Sequence, residues 1–147
     1  MTLEIRSATP EDGESLAAIL GGFVDETPWL PRVHSSEENR GFGAFLIENS
    51  DVIVAQDDVV VGFLATCDAM IDALYIHPDH RGRGIGTLLL DTVKAKVDWL
   101  ELWVFQANTA ARKFYASHGF VEGEMTDGQT NDEKIPDVFM SWGRKES

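Results

Sequence analysis

One stretch limits the fold more than any other, Met70 to Val97, MIDALYIHPDHRGRGIGTLLLDTVKAKV. It opens on an apolar run suited to a buried strand and turns through Pro78, Gly82, Gly84 and Gly86. It then continues with Ile85, Leu88, Leu89, Val93 and Val97 on one helical face. The order is strand, glycine loop, helix. Glycines let the backbone take positive φ and bring its N–H groups against a ligand, and the following helix directs its free N–H groups and positive dipole end to the same place. That is an anion site, to which Arg81 and Arg83 add permanent charges suited to phosphate oxygens.

Two familiar phosphate loops do not fit. A P-loop needs G-x-x-x-x-G-K-[ST], and no lysine stands between Gly82 and Thr87. A dinucleotide fingerprint needs G-x-G-x-x-G after a first strand, whereas the spacing here is G-x-G-x-G and follows about the fourth. Arg81-Gly82-Arg83-Gly84-Ile85-Gly86 instead resembles the [Q/R]-x-x-G-x-[G/A] loop with which the GCN5-related N-acetyltransferase (GNAT) family holds acetyl-CoA. Leu74-Tyr75-Ile76-His77-Pro78 matches the end of that family's fourth strand, and Thr87 to Leu90 the opening of its third helix. Downstream, Asn108, Ala111, Phe114-Tyr115 and Gly119-Phe120 match N-x-x-A-x-x-[FY]-Y-x-x-x-G-F in the correct order.

The resemblance implies an α/β fold: a mixed, mostly antiparallel twisted sheet of about six or seven strands, splayed between the fourth and fifth and flanked by about four helices. Residues 1–147 are long enough for one domain with one sizeable core, and show neither linker nor repeat. No uncharged apolar run approaches the ~20 residues of a membrane span, and the acidic start MTLEIRSATPEDG is not a signal peptide. The expectation is a soluble, cytoplasmic protein without membrane partners. Cys67, the only cysteine, excludes an internal disulfide and is expected in the core. His77-x-x-His80 lacks a third ligand of suitable spacing, so no metal is expected.

The formal charge of −13 argues against nucleic acid as a partner. Residues 81–113 nevertheless carry a net +3, leaving −16 on the remainder. Basic charge gathers where the phosphates of CoA would lie, and the acidic remainder either draws in a cationic substrate or serves solubility.

Leu3 and Ile5 alternate as a short strand, and Thr9-Pro10-Glu11-Asp12 reads as a helix cap with proline at the first helical position. Leu16, Ile19, Leu20 and Phe23 form the buried face of that helix. A second helix, capped by Ser35 with Glu38 three residues on, is expected to bury Phe42, Phe45 and Leu46. Valine-rich strands at Asp51–Gln56 and Val59–Cys67 join Met70–Ile76 in an antiparallel meander. Leu100–Phe105 should lie parallel to Met70–Ile76 after the helical crossover, and Val121–Met125 and Pro136–Trp142 close the chain as strands.

The resemblance also assigns roles. The cofactor, acetyl-CoA as co-substrate, falls to Leu74, Tyr75, Ile76, Arg81, Gly82, Arg83, Gly84, Ile85, Gly86, Thr87 and Asn108. The backbone of Leu74 to Ile76 pairs with the pantetheine arm like an added strand, and Asn108 either offers its amide to that arm or only caps a helix. An amine attacks the thioester directly, so the reaction needs a base for the amine, donors for the oxyanion and a hydrogen bond or proton for the thiolate. Tyr115 stands at the general-acid position, the alternative being a core tyrosine. Asp72, placed by the two-residue period on the face of Leu74 and Ile76, is the base or a strand-edge charge, with a water relay to a loop carboxylate as a further route for the proton. Nothing in the sequence orients a histidine toward Cys67 to make it an acylated nucleophile.

Trp29, Leu30 and His34 contact the acceptor or pack their loop. Asp127, Asp132, Glu133 and Asp137 in or beside TDGQTNDEKI meet an amine or lie solvated. The function implied is acetyl transfer from acetyl-CoA to a primary amine of a small molecule or peptide, against a noncatalytic acyl-CoA-binding domain of the same fold. A homodimer is implied as well. The acceptor and the use of longer acyl groups are not fixed by sequence.

Overall fold

The computed structural model describes residues 3–25, 27, 36–129, 131 and 133–143. Trp29, Leu30, His34, the Ser35 cap and Asp132 lie outside the described residues.

Strand β1 (Glu4–Ser7) leads through a 3₁₀ turn at Pro10–Asp12 into α1 (Gly13–Asp25). Helix α2 (Ser36–Asn49) precedes the meander β2 (Asp51–Asp57), β3 (Val59–Cys67) and β4 (Met70–Ile76). Helix α3 (Ile85–Lys94) crosses to β5 (Trp99–Phe105), followed by α4 (Thr109–Ser117), β6 (Val121–Met125) and β7 (Asp137–Gly143). The strands form one sheet in the order β1-β2-β3-β4-β5-β7-β6. Neighbours are antiparallel except β4 and β5, which run parallel as a helical crossover demands.

Each face of the sheet buries its own apolar layer, because strand side chains alternate. On one face Leu16, Ile19 and Leu20 of α1 and Leu46 of α2 pack on Val52, Val54 and Phe63. On the other, Ile85, Leu89 and Leu90 of α3 and Tyr115 of α4 pack on Leu64, Leu100, Leu102 and Met140.

Three elements depart from the sequence expectation. Phe42 and Phe45 are exposed, not buried. The reason is a close crossing of α1 and α2: a Cβ on Gly43 would lie 2.7 Å from the Gly13 carbonyl oxygen, so α2 turns its Gly43–Leu46 stripe inward and the phenylalanines outward. Leu88 is exposed because the buried face of α3 is Ile85, Leu89 and Leu90, and Val97 lies beyond the helix end at Lys94. Cys67 is also exposed, since it is the last residue of β3, beside the turn at Asp68.

The start of α1 is tied to the sheet by charge. Asp12 closes a capping box with Thr9, accepting its backbone N–H at 2.7 Å. Arg6 of β1 donates to both Asp12 carboxylate oxygens at 2.9 and 3.0 Å and to Gln56 Oε1 at 2.8 Å. The Arg6 hydrogen bonds outweigh burial and hold the Asp12 carboxyl below its usual range. Asp12→Ala should therefore cost about 2 kcal/mol at neutral pH, the usual value of hydrogen bonds to a charged group. A depressed folded pKa stabilises above the unfolded value of roughly 4, and that part is lost as pH falls through the lower folded value. Urea midpoints of both proteins at pH 7 and pH 3 should show the difference narrowing in acid.

Candidate active site

The pairing of β4 with β5 stops early. Met70 pairs with Glu101 and Ile71 with Leu102, and no later residue of β4 reaches β5. On the other side β4 stays paired to β3 as far as Ile76, and His77 donates its N–H to the Val61 carbonyl. In an antiparallel ladder alternate residues turn their backbone groups the same way. Tyr75 and His77 thus face β3, while the N–H and C=O groups of Leu74 and Ile76 point into the widening gap, where an extended ligand can pair as a strand would.

Two cavities meet at this gap. One of about 500 Å³ opens on the α3/α4 side, lined by Ile76, Arg81, Gly86, Ala110 and Phe114. The other, of about 260 Å³, opens on the α1/α2 side, lined by Asp72, Ala73, Trp103, Phe105 and Asp137. Phe23, Leu74, Tyr75, Asn108, Ala111 and Tyr115 line both.

At the mouth of the larger cavity, Gly82 and Gly84 hold φ of +78° and +76°, and a Cβ at either would meet nothing within 4 Å. Their bareness therefore leaves room for a ligand and supplies positive φ, with no packing demand of the protein's own. Gly84 is the N-cap of α3, so its N–H and those of Ile85, Gly86 and Thr87 lack intrahelical carbonyl partners and face the loop. With Arg81 this arrangement fits the diphosphate of CoA, and the gap between β4 and β5 fits its pantetheine arm. Gly86 has a different use: a Cβ there would press to 3.3 Å from the Phe114 ring, so it lets α3 and α4 approach. Thr87 Oγ1 lies 3.1 Å from His118 Nε2.

Arg83 points elsewhere. Its Nη2 lies 3.4 Å from the Asp57 carboxylate at the end of β2, and its Nη1 lies 2.6 Å from His80 Nδ1. His77 Nδ1 accepts the Asp79 N–H at 3.1 Å, so both histidines of the loop use a ring nitrogen to shape it. Among the described residues no group of three or more His, Cys, Asp or Glu is arranged for a metal ion.

Tyr115 belongs to the core and to the cavity at once. It is 7% exposed, and its ring packs edge-on against Phe114 and Phe120 at 5.3 and 5.2 Å. Burial pushes its phenol well above the usual tyrosine value, so it stays protonated at any working pH. Asn108 caps α4, its Oδ1 accepting the Ala111 N–H at 3.1 Å, and the residue lines both cavities.

Asp72 is not on the face expected for it. Ile71 packs in the α3/α4 core and so do Leu74 and Ile76, although Leu74 stands three positions after Ile71, an odd spacing that strict alternation would put on opposite faces. The pairing explains this: Ala65 faces Ala73 but Thr66 faces Ile71, leaving Asp72 as an extra residue in a β-bulge. The bulge turns Asp72 to the α1/α2 side with Ala73, where Ser50 Oγ donates to its carboxylate at 3.3 Å. Partial burial holds the Asp72 carboxyl above its usual range, with the Ser50 hydrogen bond opposing. A two-residue period cannot reveal a bulge fixed by the partner strand.

The aromatic lining of the smaller cavity was not singled out from sequence. Trp103 and Phe105 lie on the β5 face opposite Leu102 and Val104, and Phe23 of α1 packs on Tyr75 at 5.0 Å. Their only signal in the sequence is strand alternation beside the Asn108 motif. Burial among these rings, with the Glu133 charge adding to it, raises the Tyr75 phenol to about 12.

The chain is similar in sequence and in fold to known proteins. Residues 48–122 match the acetyltransferase (GNAT) domain family. The peptidyl-lysine N-acetyltransferase YjaB of Salmonella typhimurium is 36% identical over 122 residues, which is 82% of this chain and 84% of that protein. The solution structure of the apo form of YjaB from Escherichia coli superposes with a TM-score of 0.81 and 28% identity, covering 97% of this chain and 98% of the other. The fold is also that of the acetyltransferase YncA of Salmonella typhimurium, solved with acetyl-CoA, with a TM-score of 0.74 at 20% identity over 100% of this chain and 96% of that one. The relatives are named as N-acetyltransferases, which favours the enzyme over a noncatalytic acyl-CoA-binding domain. Glycine loop, splayed strands and tyrosine thus agree with kinship, and the chain belongs to the GNAT family as an acetyl-CoA-dependent N-acetyltransferase.

Proposed function

We propose that the acceptor is the ε-amine of a lysine in a peptide or protein, with Asp72 as the base and Tyr115 as the group that receives the departing thiolate. The observation that carries this reading is the smaller cavity: aromatic walls from Phe23, Tyr75, Trp103 and Phe105, with the carboxylates of Asp72 and Asp137, open onto the gap between β4 and β5. An alkyl stem suits the rings, and an ammonium suits both ring faces and carboxylates. The relatives' name, peptidyl-lysine N-acetyltransferase, supports the same acceptor. A reducing cytoplasmic setting, where the exposed Cys67 would stay a free thiol, accords with it.

Acetyl-CoA supplies an activated acetyl group as a thioester; this chain supplies position and proton handling. The first-turn N–H groups of α3 and Arg81 hold phosphate, and the backbone of Leu74 and Ile76 orients the arm and offers an N–H to the developing oxyanion. Asp72 takes a proton from the ammonium, for which its raised pKa brings it closer to neutrality than an ordinary carboxylate. Tyr115, with its phenol raised by burial, donates a hydrogen bond to the sulfur; complete proton transfer to a thiolate of pKa about 8.5 is uphill for it.

Acetylation of a lysine peptide, read by mass spectrometry against its arginine counterpart, tests the acceptor; an unmodified lysine peptide would overturn it. Gly84→Val should abolish acetyl-CoA binding in calorimetry, because a branched residue resists a φ of +76° and fills the ligand's space. Tyr115→Phe should keep acetyl-CoA affinity and lose roughly ten- to a thousandfold in kcat, since the hydroxyl acts mainly in the transition state. Asp72→Asn should lose about a hundred- to ten-thousandfold in kcat. Asp72 must be ionised to act, so the wild-type pH profile of kcat/KM should fall on its acid side, at a midpoint above the ordinary carboxylate value.

A further inference from the structure

Of the carboxylates near the smaller cavity, Asp137 is the one built into a rigid frame. It is the first residue of β7, directly opposite Phe105 of β5 in the register, and it lines the cavity with Phe105 and Trp103. Thr126 Oγ1 donates to its Oδ1, and Asn131 Nδ2 reaches its Oδ2 at 3.4 Å. Those donors are fixed in turn. Gly128 N–H donates to Thr126 Oγ1 at 3.1 Å, and Asn131 exchanges side-chain hydrogen bonds with the backbone of Ile135 at 2.8 and 3.3 Å. Gln106 Nε2 clasps the carbonyl oxygens of Thr126 and Asp137 at 3.1 and 3.0 Å, tying the neck of the β6–β7 loop to the end of β5.

This frame uses neutral donors only. Two hydrogen bonds from neutral donors leave a carboxylate with spare lone pairs, and among the described residues the ion pairs involve Asp12, Asp57, Asp79 and Glu122, not Asp137. Asp72 lies on β4 and Asp137 on β7, on opposite sides of the gap that the two cavities share. A proton acceptor and a cation anchor are different tasks. Asp72, whose carboxyl is raised, suits the first. A charged, oriented carboxylate on a rigid strand suits the second.

We infer that Asp137 is a specificity-determining residue of the acetyl transfer: it holds the acceptor's ammonium at the cavity, oriented by Thr126 and Asn131, while Asp72 removes the proton. The inference rests on reading the smaller cavity as the acceptor site. A neutral acceptor of the same shape then lacks the attraction, and the β6–β7 loop helps set which amines enter.

The test is calorimetric and independent of turnover. With CoA saturating, a short peptide carrying lysine is compared with the same peptide carrying norleucine, which keeps the stem and lacks the charge. The wild type should prefer lysine, and Asp137→Asn, which can keep both framing contacts, should lower that preference about 10- to 100-fold with CoA affinity unchanged. A merely structural Asp137 would weaken both peptides equally and leave their ratio intact, which overturns the inference, as does a wild type indifferent to the charge. Thr126→Val removes one orienting donor and keeps the carboxylate. It should lower the same ratio severalfold, and it decides the matter alone if Asp137→Asn does not fold, an unchanged ratio counting against Asp137. Charge-dependent peptide binding without lysine acetylation would keep the anchor and remove lysine as the acceptor.

Discussion

The site depends on a strand pairing that is left unfinished. Backbone N–H and C=O groups inside a protein need partners, and leaving them bare costs free energy comparable to a lost hydrogen bond. β4 pairs with β5 over Met70 and Ile71 and then departs, so Leu74 and Ile76 present such groups to a gap. The sheet tolerates this because β4 is secured on its other edge by β3 through Ile76, and because β5 takes β7 as its second partner along its full length, from Trp99 to Phe105. The gap is thus a stable opening between two well-held half-sheets, and its unmet hydrogen bonds suit an extended ligand such as a pantetheine arm.

The same opening divides the molecule chemically. On the α3/α4 side, glycine backbone, the helix N-terminus and Arg81 collect positive potential; on the α1/α2 side, Asp72 and Asp137 stand among aromatic rings. A bulge makes the division consistent. Without the bulge, the alternation that puts Leu74 and Ile76 toward α3 would turn Ile71 away from it and bring Asp72 to their face. One inserted residue both aims Leu74 and Ile76 at the gap and carries the carboxylate to the opposite side.

What could be read from the sequence follows from how local each feature is. The glycine loop, the Pro78 turn and the Asn108 cap are written in residues adjacent in the chain, because positive φ and capping are decided within a few bonds. The parallel crossover and the splay came with the family motifs. Features decided between distant segments were not legible: the Asp72 bulge is set by pairing with Thr66, the outward turn of Phe42 and Phe45 by the Gly13–Gly43 crossing, and the direction of Arg83 by Asp57. Asp137 was visible only as one acid among several around a polar loop, since its placement needs the register of β7 on β5 and the clasp of Gln106.

Rigidity is where core and chemistry meet. Direct transfer needs the amine, the carbonyl and the thiolate's partner held together to within fractions of an ångström, and such precision comes from packed elements more readily than from loops. Tyr115 is held rigidly because its ring is part of the core: Phe120 and Phe114 flank it, and Phe114 is itself seated against the bare backbone of Gly86. A methyl group at Gly86 would press on the Phe114 ring at 3.3 Å, so the ring beside Tyr115 would have to give by a few tenths of an ångström. The second glycine of the motif pair thus has a packing use of its own, which explains why a loop whose Gly82 and Gly84 hold positive φ also carries a small residue where φ is ordinary.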